Sequence, residues 1–180
     1  NSRLGPRPAT VVEAARYPSL NMLNVWLDGK LVPQSEALVS VFDHGLLYGD
    51  GCFEGIRAYG GRILKLHGHM KRLFDSAEKI RLKPPFSLKV MEAAIRETLE
   101  ANNLSDAYIR VVFTRGVGSL GLHPFKCPTA SAFIIADYIQ LYPPDLYKTG
   151  MDVIVAKRPR IPRECLDPCI KSLNYLNNIL

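Results

Sequence analysis

Residues 52–59, CFEGIRAY, followed by Gly60-Gly61 and then RILKL at 62–66, read as strand, tight turn, strand. The region is therefore expected to be antiparallel sheet. Upstream, NVWLDGKLVP (24–33) alternates apolar and polar residues about Asp28-Gly29, a dipeptide that accepts the positive φ angles of a tight hairpin turn. A hairpin thus opens the folded part. Downstream the period changes. From His69 onward, Met70, Leu73, Phe74, Ala77 and Ile80 recur at three- and four-residue spacing, the stripe of an amphipathic helix, and Pro84-Pro85 ends it. Ser87 is placed to cap a second helix running to about Asn102, with Val90, Met91, Ala94, Ile95 and Leu99 inward. AYIRVVFTRG (107–116) and SAFIIADYI (131–139) are strand-like again. Strands, then helices, then strands predict an α+β fold, mostly antiparallel sheet with two helices, rather than alternating βαβ units.

Residues 1–21 carry three prolines and no sustained period, and read as an N-terminal tail or extension. Residues 22–139 then form a small α+β domain, and 140–150, containing YPPDLYKTG, form a linker. MDVIVAK (151–157) starts a new strand and 172–180 a helix. These last thirty residues cannot enclose a core, so 151–180 is expected to be the incomplete start of a second domain. The chain begins at Asn1 without Met and stops at Leu180 inside an amphipathic segment, so both ends read as cut.

The 180 residues are 47% hydrophobic and 22% charged, ordinary globular usage that excludes collagen, coiled coil and a wholly disordered chain. A single domain of this length buries about 70% of the surface its unfolded chain exposes. No apolar run approaches the ~20 residues of a membrane helix, and a cytoplasmic protein without membrane contact is expected. The net charge of +6 is scattered, with Lys157, Arg158, Arg160 and Arg163 the one loose cluster, which argues against nucleic-acid binding. Cys52, Cys127, Cys165 and Cys169 include no C-x-x-C pair, and the four histidines show no metal-ligand spacing. Neither a metal nor a disulfide framework is predicted.

Lys171, in CIKSLNYLNNIL, sits between Ile170 and Leu173 just before the last helix start. Its own surroundings leave two readings open: a solvated surface lysine, or an amine stripped of water that attacks a carbonyl to form a Schiff base. Tyr175 is four residues on and in a helix would share its face. Phe53, Gly55 and Arg57 share one face of a strand, and Tyr108 and Arg110 one face of another. Aromatic walls with fixed cations suit an acid with an apolar side chain, such as an amino or keto acid, although solvated arginines at a sheet edge fit the same pattern. Arg72 lies off the helix stripe and by spacing alone is a solvated surface residue. The glycine-rich GVGSLGL (116–122) opens no helix and reads as a turn.

Taken together, FDHGLLYGDGCFEGIRAY (42–59), LHGHMKRLFDSA (66–77), AYIRVVFTRGVGSLGL (107–122) and IKSLNYLNNIL (170–180) closely resemble the branched-chain amino acid aminotransferases, fold type IV enzymes dependent on pyridoxal 5'-phosphate. The resemblance runs in order from about Leu23 to Leu180. It implies that Lys171 is the catalytic lysine, bears the cofactor as a Schiff base and carries a proton as base and then acid. By the same resemblance Tyr175 bonds the cofactor's phenolic oxygen and Arg72 clamps its phosphate, which replaces the solvated reading of that arginine. Phe53, Gly55 and Tyr108 would line the substrate pocket, with Arg57 and Arg110 at its rim and Arg110 facing a substrate carboxylate. Tyr48 and the 116–122 loop would reach the neighbouring subunit's site, implying a homodimer. The implied reaction is transamination of Leu, Ile and Val with 2-oxoglutarate. D-amino acid aminotransferases and aminodeoxychorismate lyases share the fold and lysine and remain the near alternatives, with a noncatalytic dimerising remnant further off. The family's carboxylate for the cofactor ring nitrogen lies beyond the lysine, so the 180-residue chain alone is expected to be a partial enzyme.

Overall fold

Asp28 and Gly29 take φ angles of 45° and 102°, the left-handed region that a two-residue hairpin turn requires at both central positions. They join β1 (Asn24–Leu27) to β2 (Lys30–Pro33), as the dipeptide predicts. The computed structural model describes residues 23–139 and 142–180; the expected tail at 1–21 lies outside them. The remaining strands are β3 (Gly51–Tyr59), β4 (Arg62–Ile63), β5 (Ala107–Thr114) and β6 (Ser131–Asp137). All six join one sheet in the order β2-β1-β6-β5-β3-β4, with every pairing antiparallel.

A short helix α1 (His44–Tyr48) precedes β3, its first turn capped by the Asp43 carboxylate, which accepts from the Gly45 N–H at 2.7 Å. The two long helices are α2 (Leu66–Lys79) and α3 (Leu88–Ala101). The first starts three residues before the period suggests, because buried Leu66 belongs to the same stripe as Met70, Leu73 and Ala77. RILKL therefore contributes only Arg62 and Ile63 to the sheet. Ser87 Oγ accepts from the Val90 N–H at 3.3 Å and caps α3 as expected. Val90 itself is 45% exposed rather than inward, since it lies about 100° from the centre of the stripe of Met91, Ala94, Ile95 and Leu99.

Both helices cover one face of the sheet and enclose the core with Trp26, Cys52, Ile56, Ala58, Ile109, Val111, Phe113, Ile134 and Ala136. Each fully buried large apolar side chain contributes roughly 1.5–3 kcal/mol. The opposite parity of β3 and β5 faces away from the helices. There the register sets Phe53 opposite Val112, Gly55 opposite Arg110 and Arg57 opposite Tyr108.

Beyond β6 a one-turn helix α4 (Leu146–Thr149) interrupts the expected linker. The strand expected over 151–157 is not formed: Val153, Ile154 and Val155 are 82–97% exposed and carry no ladder partner among the described residues. Alternation alone does not make a strand, which needs a neighbouring edge to satisfy its backbone. The terminal helix α5 (Leu176–Ile179) begins four residues later than the reading from sequence places it, because 171–173 are claimed by the sheet.

Candidate active site

Because β4 pairs only with Ala58 and Tyr59, the outer edge of β3 is open over its first residues. Residues 171–173 fill that edge. The Phe53 N–H donates to the Lys171 carbonyl at 2.9 Å, the Leu173 N–H donates to the Gly51 carbonyl at 3.0 Å, and Ser172 bridges Cys52. The Lys171 N–H in turn donates to Ser76 Oγ of α2 at 3.3 Å. Two outer ties hold the loop on either side. Lys79 Nζ donates to Asp167 at 3.1 Å, and Asn174 Nδ2 donates to the Gly49 carbonyl at 3.0 Å. Asp167 also accepts the Cys169 N–H at 3.0 Å; that bond and the Lys79 ammonium bring its carboxyl down to about 2.

The strap aims the Lys171 side chain across the face of β3. Its Nζ donates to the Tyr175 hydroxyl at 3.0 Å and sits 4.5 Å from the centre of the Phe53 ring. Tyr175 meets Phe53 edge to face at 4.9 Å. The Arg110 guanidinium lies 4.3 Å over Phe53 and 5.4 Å from the Tyr108 ring, so Lys171, Phe53, Tyr175, Arg110 and Tyr108 form one contiguous cluster. Gly55 completes it by having no side chain, since a Cβ there would overlap the Tyr108 hydroxyl.

Lys171, Tyr175 and Arg72 line a single cavity of about 330 Å³, together with Arg160, Ser172 and Asn174. Three cations against one carboxylate, that of Asp167, leave the concavity net positive, which favours an anionic ligand. Arg72 is 55% exposed and off its helix stripe, as spacing predicts, yet its guanidinium is held from beneath by Glu54. The Glu54 carboxylate is fully buried and accepts from Arg72 Nε and, at 2.8 Å, from Arg72 Nη2. His69 Nδ1 lies 2.9 Å from the same carboxylate; with both Arg72 donors directed there, the Nδ1–H tautomer completes the set. Burial pushes the Glu54 carboxyl up, but the bonds from Arg72 and then His69 outweigh it and leave it below its ordinary value. Cys52, beneath the strap, is inert: burial raises its thiol to about 12.

Two of the residues singled out from the sequence lie apart from this cluster. Arg57 donates to the Ile139 carbonyl at 3.3 Å and lines a separate pocket with Tyr138, Pro144 and Tyr147. The Tyr48 hydroxyl accepts from the Gly121 N–H at 3.1 Å, which pins the 116–122 turn, and its ring packs edge-on against His44. Glu54, His69 and Ser76 are not among the residues that sequence reasoning singles out. A signal for Glu54 exists, since it shares strand parity with Cys52 and Ile56 and so places a carboxylate on the core face.

Residues 51–180 match the amino-transferase class IV family. A protein of Methanocaldococcus jannaschii, provisionally named a branched-chain-amino-acid aminotransferase, is 49% identical over 158 residues, covering 88% of this chain and 54% of that protein. The D-alanine aminotransferase of Staphylococcus haemolyticus is 34% identical over 162 residues, covering 88% and 55%. Among solved structures, the T.th. branched-chain amino acid aminotransferase with pyridoxamine 5'-phosphate superposes with a TM-score of 0.82 at 31% identity, over 89% of this chain and 55% of that one. The chain spans about half the length of the curated relatives it matches.

Proposed function

We propose, for a chain that belongs to the amino-transferase class IV family, that it forms the lysine-bearing half of an enzyme that transaminates branched-chain L-amino acids with 2-oxoglutarate on pyridoxal 5'-phosphate. The observation that carries this reading is the convergence of an amine, a phenol and a guanidinium, from Lys171, Tyr175 and Arg72, on one cavity of about 330 Å³. That donor set fits the cofactor: an amine for its aldehyde, a hydroxyl for its phenolic oxygen, a guanidinium for its phosphate. When bound, the cofactor supplies an electron sink for the charge left at the substrate Cα.

In this reading the chain's own groups divide the work. Lys171 is the point of covalent attachment, and once released its Nζ holds and returns the proton moved during the reaction. Tyr175, bonded to that Nζ at 3.0 Å, fixes its position. Phe53, Tyr108 and Gly55 form an apolar wall for a branched side chain. Arg110, stacked on Phe53, offers its fork to a carboxylate, which lets one pocket take both Leu and glutamate. Arg57 stands further out, at the rim, where Tyr138, Ile139, Tyr142, Pro144 and Tyr147 border it.

Leu38, Leu46, Leu120, Leu122 and Phe125, close in sequence to Tyr48 or to the 116–122 turn, are large exposed apolar side chains, and we take them to mark one face. A second copy of the chain covers that face in our reading, making a homodimer in which Tyr48 reaches the partner's site. The domain division follows the same logic, with a small domain over 22–139, a linker over 140–150 and the start of a cofactor-binding domain over 151–180. No helix among the described residues is long and apolar enough to cross a membrane, which suits a cytoplasmic enzyme.

The 34% identity to a D-alanine aminotransferase gives one second reading, a D-amino acid donor. Offering L-leucine and D-alanine separately to the complete cofactor-loaded enzyme of which this chain is the lysine-bearing half, and following loss of the cofactor's visible band, separates the two. A response to L-leucine alone supports the branched-chain reading. A response to D-alanine alone replaces it.

A further inference from the structure

Glu54 stands on the face of β3 that α2 and α3 cover, in line with Cys52, Ile56 and Ala58. It is fully buried there. A carboxylate in that position is expensive, because its water is lost, and an apolar side chain of similar size would pack without that penalty. A buried ion pair is thus poor at stabilising a fold and good at fixing a geometry. The geometry it fixes belongs to Arg72.

We infer that Glu54 is a positioning residue that locks the Arg72 guanidinium so that its Nη1 edge faces the cofactor's phosphate; this rests on the function proposed above. The fork is two-pronged, with Nε and Nη2 of Arg72 both committed to the carboxylate. Two parallel bonds fix the plane of a guanidinium as well as its place. Nη1 has no partner among the described residues, and Arg72 lines the cavity shared with Lys171 and Tyr175. His69 Nδ1 and the Gly55 N–H, at 2.9 and 3.3 Å, hold the carboxylate in turn.

Glu54 cannot act by adding attraction, since its negative charge opposes that of the phosphate. Its contribution is orientation. A half-exposed arginine otherwise surrenders rotamer freedom each time it grips an anion, and the buried fork removes that loss beforehand. The expected signature is therefore a loss confined to the phosphate. Binding of an aldehyde that lacks one should be untouched.

The test compares pyridoxal 5'-phosphate with pyridoxal, titrated into the unmodified chain and into Glu54→Gln, with affinity read from the visible absorbance of the lysine adduct. The unmodified chain is expected to prefer the phosphorylated aldehyde. Glu54→Gln should lose about tenfold of that preference, the low end of what losing an orienting partner costs at metal sites, with pyridoxal affinity unchanged. A preserved preference in the variant overturns the inference. If neither aldehyde reacts at Lys171 of the unmodified chain, the parent reading falls, and this one with it. A variant-free measurement guards against misfolding: in ¹⁵N spectra of the unmodified chain, the phosphorylated aldehyde should shift Arg72 Nη1 while the Nε–H resonance stays in place. Movement of Nε–H, signalling that the fork has opened, contradicts the inference.

Discussion

Lys171 Nζ lies 3.0 Å from the Tyr175 hydroxyl although the residues between them are not helical. A four-residue spacing suggests one turn of helix as the cause of such a contact. Here the cause is the sheet. The backbone of 171–173 is bonded to the open edge of β3, and Tyr175 turns back over Phe53 to meet the amine from the other side. The geometry of the pair is thus inherited from a strand edge more than 100 residues earlier in the chain.

The strap hangs partly on Ser76, whose buried hydroxyl accepts the Lys171 N–H. Ser76→Ala leaves that N–H without its partner and should cost about 1 kcal/mol in urea unfolding. Amide hydrogen exchange at Lys171 should quicken while that of β5 is unaffected. Uniform quickening would mean that Ser76 serves the whole core rather than the strap.

Tyr175→Phe keeps the edge contact with Phe53 and deletes only the hydroxyl. The cofactor's phenolic oxygen then loses the hydroxyl proposed to donate to it, a bond worth about 1 kcal/mol. Affinity for pyridoxal 5'-phosphate should fall about fivefold, measured by absorbance titration, with thermal stability nearly constant. An unchanged affinity would remove Tyr175 from the site.

Acid should unpick the buried fork. Bonds from Arg72 and His69 hold the Glu54 carboxyl below its ordinary 4.5 despite the opposing effect of burial. A folded value below the unfolded one means a contribution fully present above pH 4.5 and lost as pH falls below it toward the folded value, at about 1.4 kcal/mol per unit of depression. Urea midpoints of the unmodified chain should decline over that window, and Glu54→Gln should flatten the decline. Parallel curves would assign the acid sensitivity to other carboxylates.

Gly55→Ala places a methyl group against the Tyr108 hydroxyl and ring. The ring must swing away from β3 and from the Arg110 guanidinium, which now lies 5.4 Å from it. Tyr108 ring resonances should shift markedly, and stability should fall by about 1–3 kcal/mol if the strand also moves. Unperturbed Tyr108 resonances would show that the apolar wall does not depend on this close approach.

The fold is largely legible because its signals are local. Asp28-Gly29 names its own turn, Ser87 its own cap, and the stripe from Met70 to Ala77 its own buried face. Parity places Phe53, Gly55 and Arg57 on one face and Tyr108 and Arg110 on another, and the register of β3 with β5 sets those faces side by side. What is not legible depends on long-range pairing. Alternation at 151–157 suggests a strand, but strands exist only with partners, and that segment has none among the described residues. Arg72 shows both limits at once. Its helical position correctly gives exposure, yet nothing local announces that a buried Glu54, eighteen residues away on a strand, grips it. The roles proposed for Lys171, Tyr175 and Arg72 come from motif resemblance, not from period or composition.

In the proposed function Lys171 is the residue that takes the cofactor. The measurement is to add pyridoxal 5'-phosphate to the purified 180-residue chain, reduce with borohydride and map the modified lysine by peptide mass. A single dominant adduct at Lys171, abolished in Lys171→Ala, is the expected result. Modification scattered over exposed lysines such as Lys71 and Lys79, with Lys171 no more reactive than they are, would contradict it.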